Sequence, residues 1–514
     1  MKSDALRPAW VALVVCAVLM PRLLMLGAPP ATDEGIYAFN TLMIHLNSPP
    51  GNLSADFGTL SLYQAMLAWV FSLDINHYVL LRALDALVAL LAGLMLFQVT
   101  RYESASNMAG AVIAVIFLIT MSDPIFIQYG FKNSITAASL PLLTAIAIGQ
   151  RATLNNTIVW ACVGGLVAIA GLLREPFAVL ILAGVVVVYI RAGGRAMSAY
   201  LLGSVLTGVV ILLTMIWMRG GYENLIKSYA ELTVIYQEIA YQWLVLLKTN
   251  TVTFAKNAIS ALLLTGLAVY WIAKKPELYP RLGFWLLLAI APLLEPLLKN
   301  GYPYHYANML FGLAGLVAMG WRAASDTGGA RTRTVVLVLL FAGLLLLPKI
   351  GKFVQAYHQF SSQFGTENTS IGWPKSVAQQ SNYLLIAEHI HTHSKGNPTV
   401  AIHGSMLGLI PLAKARPSSP ELANLSYNYI QSNKDSHRLR AQIVACPPEF
   451  IVLTQSSPFN DTKVLSRIVK TIPEYQLSAY IPQSDQRHYG SFDGAIYQWT
   501  GTPNTCQQAK KERR

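Results

Sequence analysis

Stretches of about 18–20 residues with almost no charge recur along the chain, among them the one ending in VALLAGLMLFQVT at residues 88–100. An apolar run of this length is what an α-helix needs to cross the roughly 30 Å hydrocarbon core of a bilayer. Charged residues are 12% of the 514, about half the share usual in a soluble domain, and hydrophobic residues reach 54%. A soluble enzyme and a disordered chain are both excluded. The formal net charge of +13 comes from basic residues dispersed as singles and pairs, which argues for a topology signal and against nucleic-acid binding.

Charge density divides the chain. Residues 1–348 hold 21 basic and 15 acidic residues, whereas the much shorter 349–514 holds 17 and 10 and has no apolar run long enough to span. This predicts a membrane domain over 1–348 followed by a soluble domain over 349–514. About eleven membrane helices are expected, centred near Ala17, Ala89, Val115, Ala145, Val167, Val185, Val209, Leu264, Leu288, Gly312 and Phe341. The first is too long, and lacks a small-residue cleavage site before Pro29, to read as a removed signal peptide; it reads as a retained anchor.

Basic residues set the orientation. With the N-terminus inside, the inner turns carry Lys2, Arg7, Arg101, Arg151, Arg191, Arg195, Lys274, Lys275, Arg281, Arg322, Arg331 and Arg333, twelve cations against the four acids Asp4, Glu103, Glu277 and Asp326. An odd number of spans then puts the C-terminal domain outside. Two outer loops are long, 28–78 and 218–256, and both contain segments able to form amphipathic helices. In the C-terminal domain, apolar strands (TVAIH, FIVLT, AIYQW) alternate with helical segments (SNYLLIAEHIHTH, SHRLRAQIV), a small α/β pattern. Its only cysteines, Cys446 and Cys506, would share an oxidising compartment and make a candidate disulfide.

The first outer loop opens on Ala-Thr-Asp33-Glu34-Gly-Ile-Tyr37, directly after Pro29-Pro30. Adjacent carboxylates just outside a span offer a general base, with a neighbour to orient it or help hold a cation; the plainer reading is a solvated acidic pair. Polar groups recur at other outer helix ends: Lys132 after Gln-Tyr-Gly-Phe, Arg174-Glu175-Pro176, Lys299-Asn300, and His305-Tyr306 in GYPYHYANML. Singly, each cation reads as a side chain snorkelling to the interface. Together with Asp33 they match a site for an anionic lipid headgroup such as a phosphate. Arg82 and Asp85, one helical turn apart, read as a structural pair. His389, His391 and His393 alternate near a predicted helix end, a spacing that scatters them around the axis and does not gather a metal set.

The PPATDEGIYAFN segment resembles the first-loop Asp-Glu motif of the GT-C superfamily of membrane glycosyltransferases, to which protein O-mannosyltransferases and the bacterial aminoarabinose transferase of lipid A belong. The segments YVLLRALDALVALLAG, SDPIFIQYGFKNS and GYPYHYANML resemble later stretches of bacterial relatives, in the same order. The resemblance implies a GT-C type polytopic helical membrane protein with a C-terminal soluble α/β domain, seated in a bacterial inner membrane with that domain in the periplasm. It implies inverting transfer of a sugar from a polyprenyl-phosphate donor to an extracytoplasmic acceptor: lipopolysaccharide or lipid A, a surface polysaccharide, or a protein. Asp33 takes the place of the base and Glu34 of its adjacent acid. Lys132, Arg174 and Lys299 are assigned by position to the carrier phosphate, with Tyr37, His305 and Tyr306 in the substrate site. The second acidic cluster used for metal binding by oligosaccharyltransferase members is missing, so no divalent metal is expected to be required, and no other cofactor is implied.

Two other readings compete. A polysaccharide polymerase or ligase using a polyprenyl diphosphate is expected to place key arginines in large outer loops, and Arg219 is the only arginine of the long second loop. A lipid or solute transporter is expected to show an internal repeat and charged or broken helices near the midplane; no repeat is found, and the polar groups gather at the outer edge.

Overall fold

The computed structural model describes residues 7–46, 62–127, 135–153, 156–218, 221–223, 226, 243–298, 303–325, 343–355, 358, 367–394, 396–404, 406–419, 422–454, 461–483 and 493–502. A helix lies at each predicted span centre from Ala17 to Gly312: Arg7–Leu24, His77–Ser104, Asn107–Met121, Ile135–Arg151, Thr157–Leu173, Val179–Met218, Ile259–Ile272, Tyr279–Ile290 and Met309–Ser325. The centre near Phe341 lies outside the described residues. By length and composition, Arg7–Leu24, His77–Ser104 and Glu175–Met218 suffice to cross a membrane among the described residues. A fourth crossing results if Leu244–Asn257 and Ile259–Ile272, bent by 80°, form one span. The count of eleven crossings thus remains an expectation.

Val179–Met218 contains two predicted spans, because Gly193 breaks the helical path with φ 80° and ψ 179°. That φ is accessible mainly to glycine, and it falls in the basic turn of Arg191 and Arg195. Helix starts are fixed by short polar side chains. Ser106 accepts from the Ala109 N–H and Asn156 from the Val159 N–H, each satisfying a backbone donor that has no intrahelical partner. Small residues let helices approach closely. Ser204 donates to the Gly164 carbonyl across a helix pair at 3.0 Å, the contact expected where apolar burial drives little association.

The chain packs as two compact units: Met1–Leu26, Arg82–Met215 and Gln242–His358 in one, and Gly27–Leu81, Ile216–Tyr241 and Gln359–Arg514 in the other. Described residues of the 28–78 stretch thus share a unit with described C-terminal residues. Most of the 218–256 loop lies outside the described residues.

The second unit holds a four-stranded sheet in the order β1-β2-β4-β3, with β1 Val400–Ile402, β2 Phe450–Thr454, β3 Tyr475–Ile481 and β4 Gly494–Trp499. β1 and β2 are parallel, and the other pairs are antiparallel. Leu439, Ile443, Ile451, Leu465, Ile468 and Tyr497 pack its core. The Tyr475 hydroxyl donates to the Pro448 carbonyl at 2.7 Å, and burial pushes its pKa up. His403, directly after β1, meets Asp461 at 2.7 Å, and both side chains are largely buried.

Candidate functional site

In the second unit, Thr32–His45 starts after an extended Ala31 and carries Asp33 and Glu34 in its first turn, where the positive end of the helix dipole favours carboxylates. The two acids part company there. Glu34 folds back so that its Oε2 accepts from the Ala31 N–H at 3.2 Å, and it is fully buried. Asp33 keeps part of its surface accessible. Tyr37, one turn on, is buried, and its carbonyl accepts from Thr41.

Gly35 approaches Gly408, which immediately precedes the short helix Leu409–Leu412. A Cβ on either glycine would run into the Tyr383 hydroxyl and the opposing backbone. Tyr78 donates to the Gly408 carbonyl at 3.0 Å. Burial first, and the Glu34 carboxylate next, push the Tyr383 phenol well above its usual pKa. The acid-bearing turn is therefore seated against the C-terminal residues of its own unit.

In the first unit, Arg174 ends Thr157–Leu173 in an extended conformation and is 2% exposed. Its Nη2 lies 2.5 Å from Glu295 Oε1, and His305 Nε2 is 3.7 Å from the same oxygen. Tyr306 is buried, shares a 2.6 Å hydrogen bond with Thr251 and stacks on Phe254 at 4.9 Å. Phe254 in turn meets Phe126, over which Lys349 Nζ sits 5.8 Å from the ring centre. Lys349 pairs with Asp123 at 2.8 Å, and the half-exposed Lys352 lies 3.8 Å from the same carboxylate. A continuous polar and aromatic belt thus links five regions distant in sequence. Arg22 adds to the Asp123 end, donating to Ser122 at 3.1 Å.

The structure brings Arg174, His305 and Tyr306 into one belt and places Asp33, Glu34 and Tyr37 on one short helix of the other unit. Lys132 and Lys299 lie outside the described residues. So does Cys506; the Cys446 thiol donates to the Ser418 carbonyl at 3.6 Å. Arg82 donates to the carbonyls of Met25 and Leu26, at the end of the first helix. Glu295, Asp123 and Lys349 escaped the sequence reading. Their signal was present, since Glu295 interrupts the apolar run APLLEPLL and an ionisable side chain there calls for a partner. Among the described residues no three His, Cys, Asp or Glu side chains are grouped to hold a metal ion.

No protein-family model and no curated protein matches the sequence. Among solved structures, an Archaeoglobus fulgidus oligosaccharyltransferase, solved with zinc and sulfate, is 14% identical over 93% of this chain and 72% of its own, with a TM-score of 0.43. ArnT from Cupriavidus metallidurans, solved bound to undecaprenyl phosphate, is 13% identical over 95% of this chain and 98% of its own, with a TM-score of 0.50. At the level of fold, this chain is similar to that ArnT along nearly the whole length of both proteins.

Proposed function

We propose that the protein is an integral-membrane glycosyltransferase that moves a sugar from a polyprenyl-phosphate carrier to an acceptor outside the cytoplasm. The fold likeness to a protein solved with undecaprenyl phosphate supports this reading. The observation that carries the chemistry is the division of labour in the first turn of Thr32–His45. Glu34 is buried and turned back onto the helix start, while Asp33, one residue away, is only partly buried.

In this mechanism Asp33 takes the proton of the acceptor as its oxygen or nitrogen attacks the anomeric carbon. The bond from that carbon to the carrier phosphate breaks, and the phosphate leaves with the electron pair. A single displacement inverts the configuration. Lys132 and Lys299 are the cations assigned to the departing charge, where fixed positive groups stabilise the transition state. Arg174 is neutralised by Glu295 and nearly inaccessible, so its role here is to position the belt that includes His305 and Tyr306. Tyr37 supports the Asp33 turn. The C-terminal residues face the same compartment as Asp33 and help receive the acceptor. The bacterial inner membrane is the setting this chemistry implies, and no nucleic acid takes part.

Purified protein, a matched polyprenyl-phosphate sugar and an envelope acceptor fraction test the reading directly. Transfer by the wild type and its collapse in Asp33→Asn are expected. Undiminished transfer in a folded Asp33→Asn protein would remove Asp33 from the base position.

A further inference from the structure

The first unit contains a recess apart from the polar belt and unlike it in character. An apolar groove of about 440 Å³ lies between Ile135–Arg151, Thr157–Leu173, the start of Val179–Met218 and Tyr279–Ile290. Ala145, Val163, Val167, Ala183 and Leu288 are among its walls. Its lining also includes a polar cluster: Glu103, Gln150, Arg191 and Arg281. Gln150 Nε2 donates to Glu103 Oε1 at 2.8 Å, Arg281 lies 3.8 Å from Glu103 Oε2, and Arg191 donates to the Gln150 carbonyl at 2.8 Å. Arg322 is a further guanidinium within electrostatic range of Glu103. One carboxylate therefore stands among three arginines, leaving the cluster net positive. Arg191 is exposed, and the Arg281 side chain is 39% exposed, so both can meet a ligand.

An apolar slot with a cationic cluster fits an amphiphile with a hydrocarbon chain and an anionic head. Every polar group of the cluster stands at a turn that the basic-residue count assigns to the cytoplasmic side. Anionic phospholipid headgroups are met there, and basic pockets between membrane helices on that side recognise them. A polyprenyl-phosphate donor acting at Asp33 would present its head at the opposite edge.

We infer that this groove holds an anionic glycerophospholipid of the cytoplasmic leaflet, with its phosphate at Arg191 and Arg281 and an acyl chain between the helices. The site is separate from the proposed transfer chemistry and does not depend on it. The shape explains the residue choice: Ala145 and Ala183 leave room for a chain, and the arginines close on a phosphodiester.

Native mass spectrometry of the full-length protein, equilibrated with equal amounts of phosphatidylglycerol and phosphatidylethanolamine, tests the inference. Wild-type protein should retain phosphatidylglycerol preferentially. Arg191→Gln should cut that preference about tenfold, the loss of one charge-assisted contact. Arg195→Gln, in the same turn but outside the groove lining, should leave it unchanged. Ala183→Phe should fill the slot and lower retention of both lipids. Arg191 is itself exposed and gives its hydrogen bond to a backbone carbonyl, while Arg281 is the arginine that pairs with Glu103, so the Arg191 substitution keeps the test valid even if Arg281→Gln fails to fold. Equal retention of the two lipids by the wild type, an Arg191→Gln protein with intact preference, or polyprenyl phosphate displacing phosphatidylglycerol from the groove would each overturn the inference.

Discussion

Arg174 and Glu295, 121 residues apart, meet at 2.5 Å with both side chains at or below 2% exposure. An ion pair in such surroundings is worth little beyond a well-packed apolar pair, but each partner becomes costly when left alone. Arg174→Ala should therefore destabilise the protein by about 3–5 kcal/mol. The double variant Arg174→Met/Glu295→Leu should recover most of that loss. Thermal unfolding in detergent, followed by tryptophan fluorescence, measures both. Equal losses in the single and double variants would mean that the pair is not an electrostatic unit.

Asp33 and Glu34 should separate under substitution. Asp33→Asn preserves size and removes the proton acceptor, so turnover should fall by about 10²–10⁴ with little change in unfolding temperature. Glu34→Gln keeps an oxygen for the Ala31 N–H and should retain more activity, whereas Glu34→Ala removes the cap and should cost about 1 kcal/mol of stability. Transfer assays at matched expression, paired with melting curves, read the two effects independently. A larger loss of turnover in Glu34→Gln than in Asp33→Asn would exchange the roles.

The close approach of Gly35 and Gly408 makes a distinct prediction. A methyl group at Gly408 meets the Gly35 backbone and two tyrosine hydroxyls, those of Tyr78 and Tyr383. Backbone cannot yield as a flexible side-chain tip can, so Gly408→Ala should loosen the Asp33 turn from its seat. Faster hydrogen exchange at residues 32–45 is the expected signature. Unaltered protection there would show that the contact relaxes without consequence.

The topology also has a direct measurement. A reporter active only in the cytoplasm, fused after Trp373, should be silent if eleven spans and the twelve-to-four charge bias are right. An active fusion would change the number of crossings by one and put the sheet on the inner side.

His389 is half-buried, shares a hydrogen bond with Ser478 at 2.9 Å and stacks on His393. Burial, and secondarily His393, lower its pKa below the ordinary value near 6.5. The unfolded chain then binds the proton more readily than the folded one. The His389 contribution is present above about pH 6.5 and is lost as pH falls from there through the lower folded value. Acidification should lower the melting temperature of the sheet-bearing unit, and His389→Gln should flatten that slope. A slope identical in the variant would assign the acid sensitivity elsewhere.

Membrane character, helix positions and the inside-outside bias came from the linear chain, because the bilayer forces apolar runs of fixed length and basic residues mark their ends. The Asp33-Glu34 pair was equally legible, since two carboxylates after Pro29-Pro30 are conspicuous in a chain so poor in charge. Tertiary structure alone decided what each charge meets. Arg174 looked like a free cation at a helix end, yet Glu295 takes up its charge. Glu34 reads in the sequence as the acid beside the base, and the fold shows the helix start turning it back onto Ala31. Gly35 and Gly408 carry no local signal of their contact, because each is an ordinary glycine until folding brings two backbones together. Local pattern records what a residue needs from its solvent, whereas pairing depends on distances between segments that only the packed chain defines.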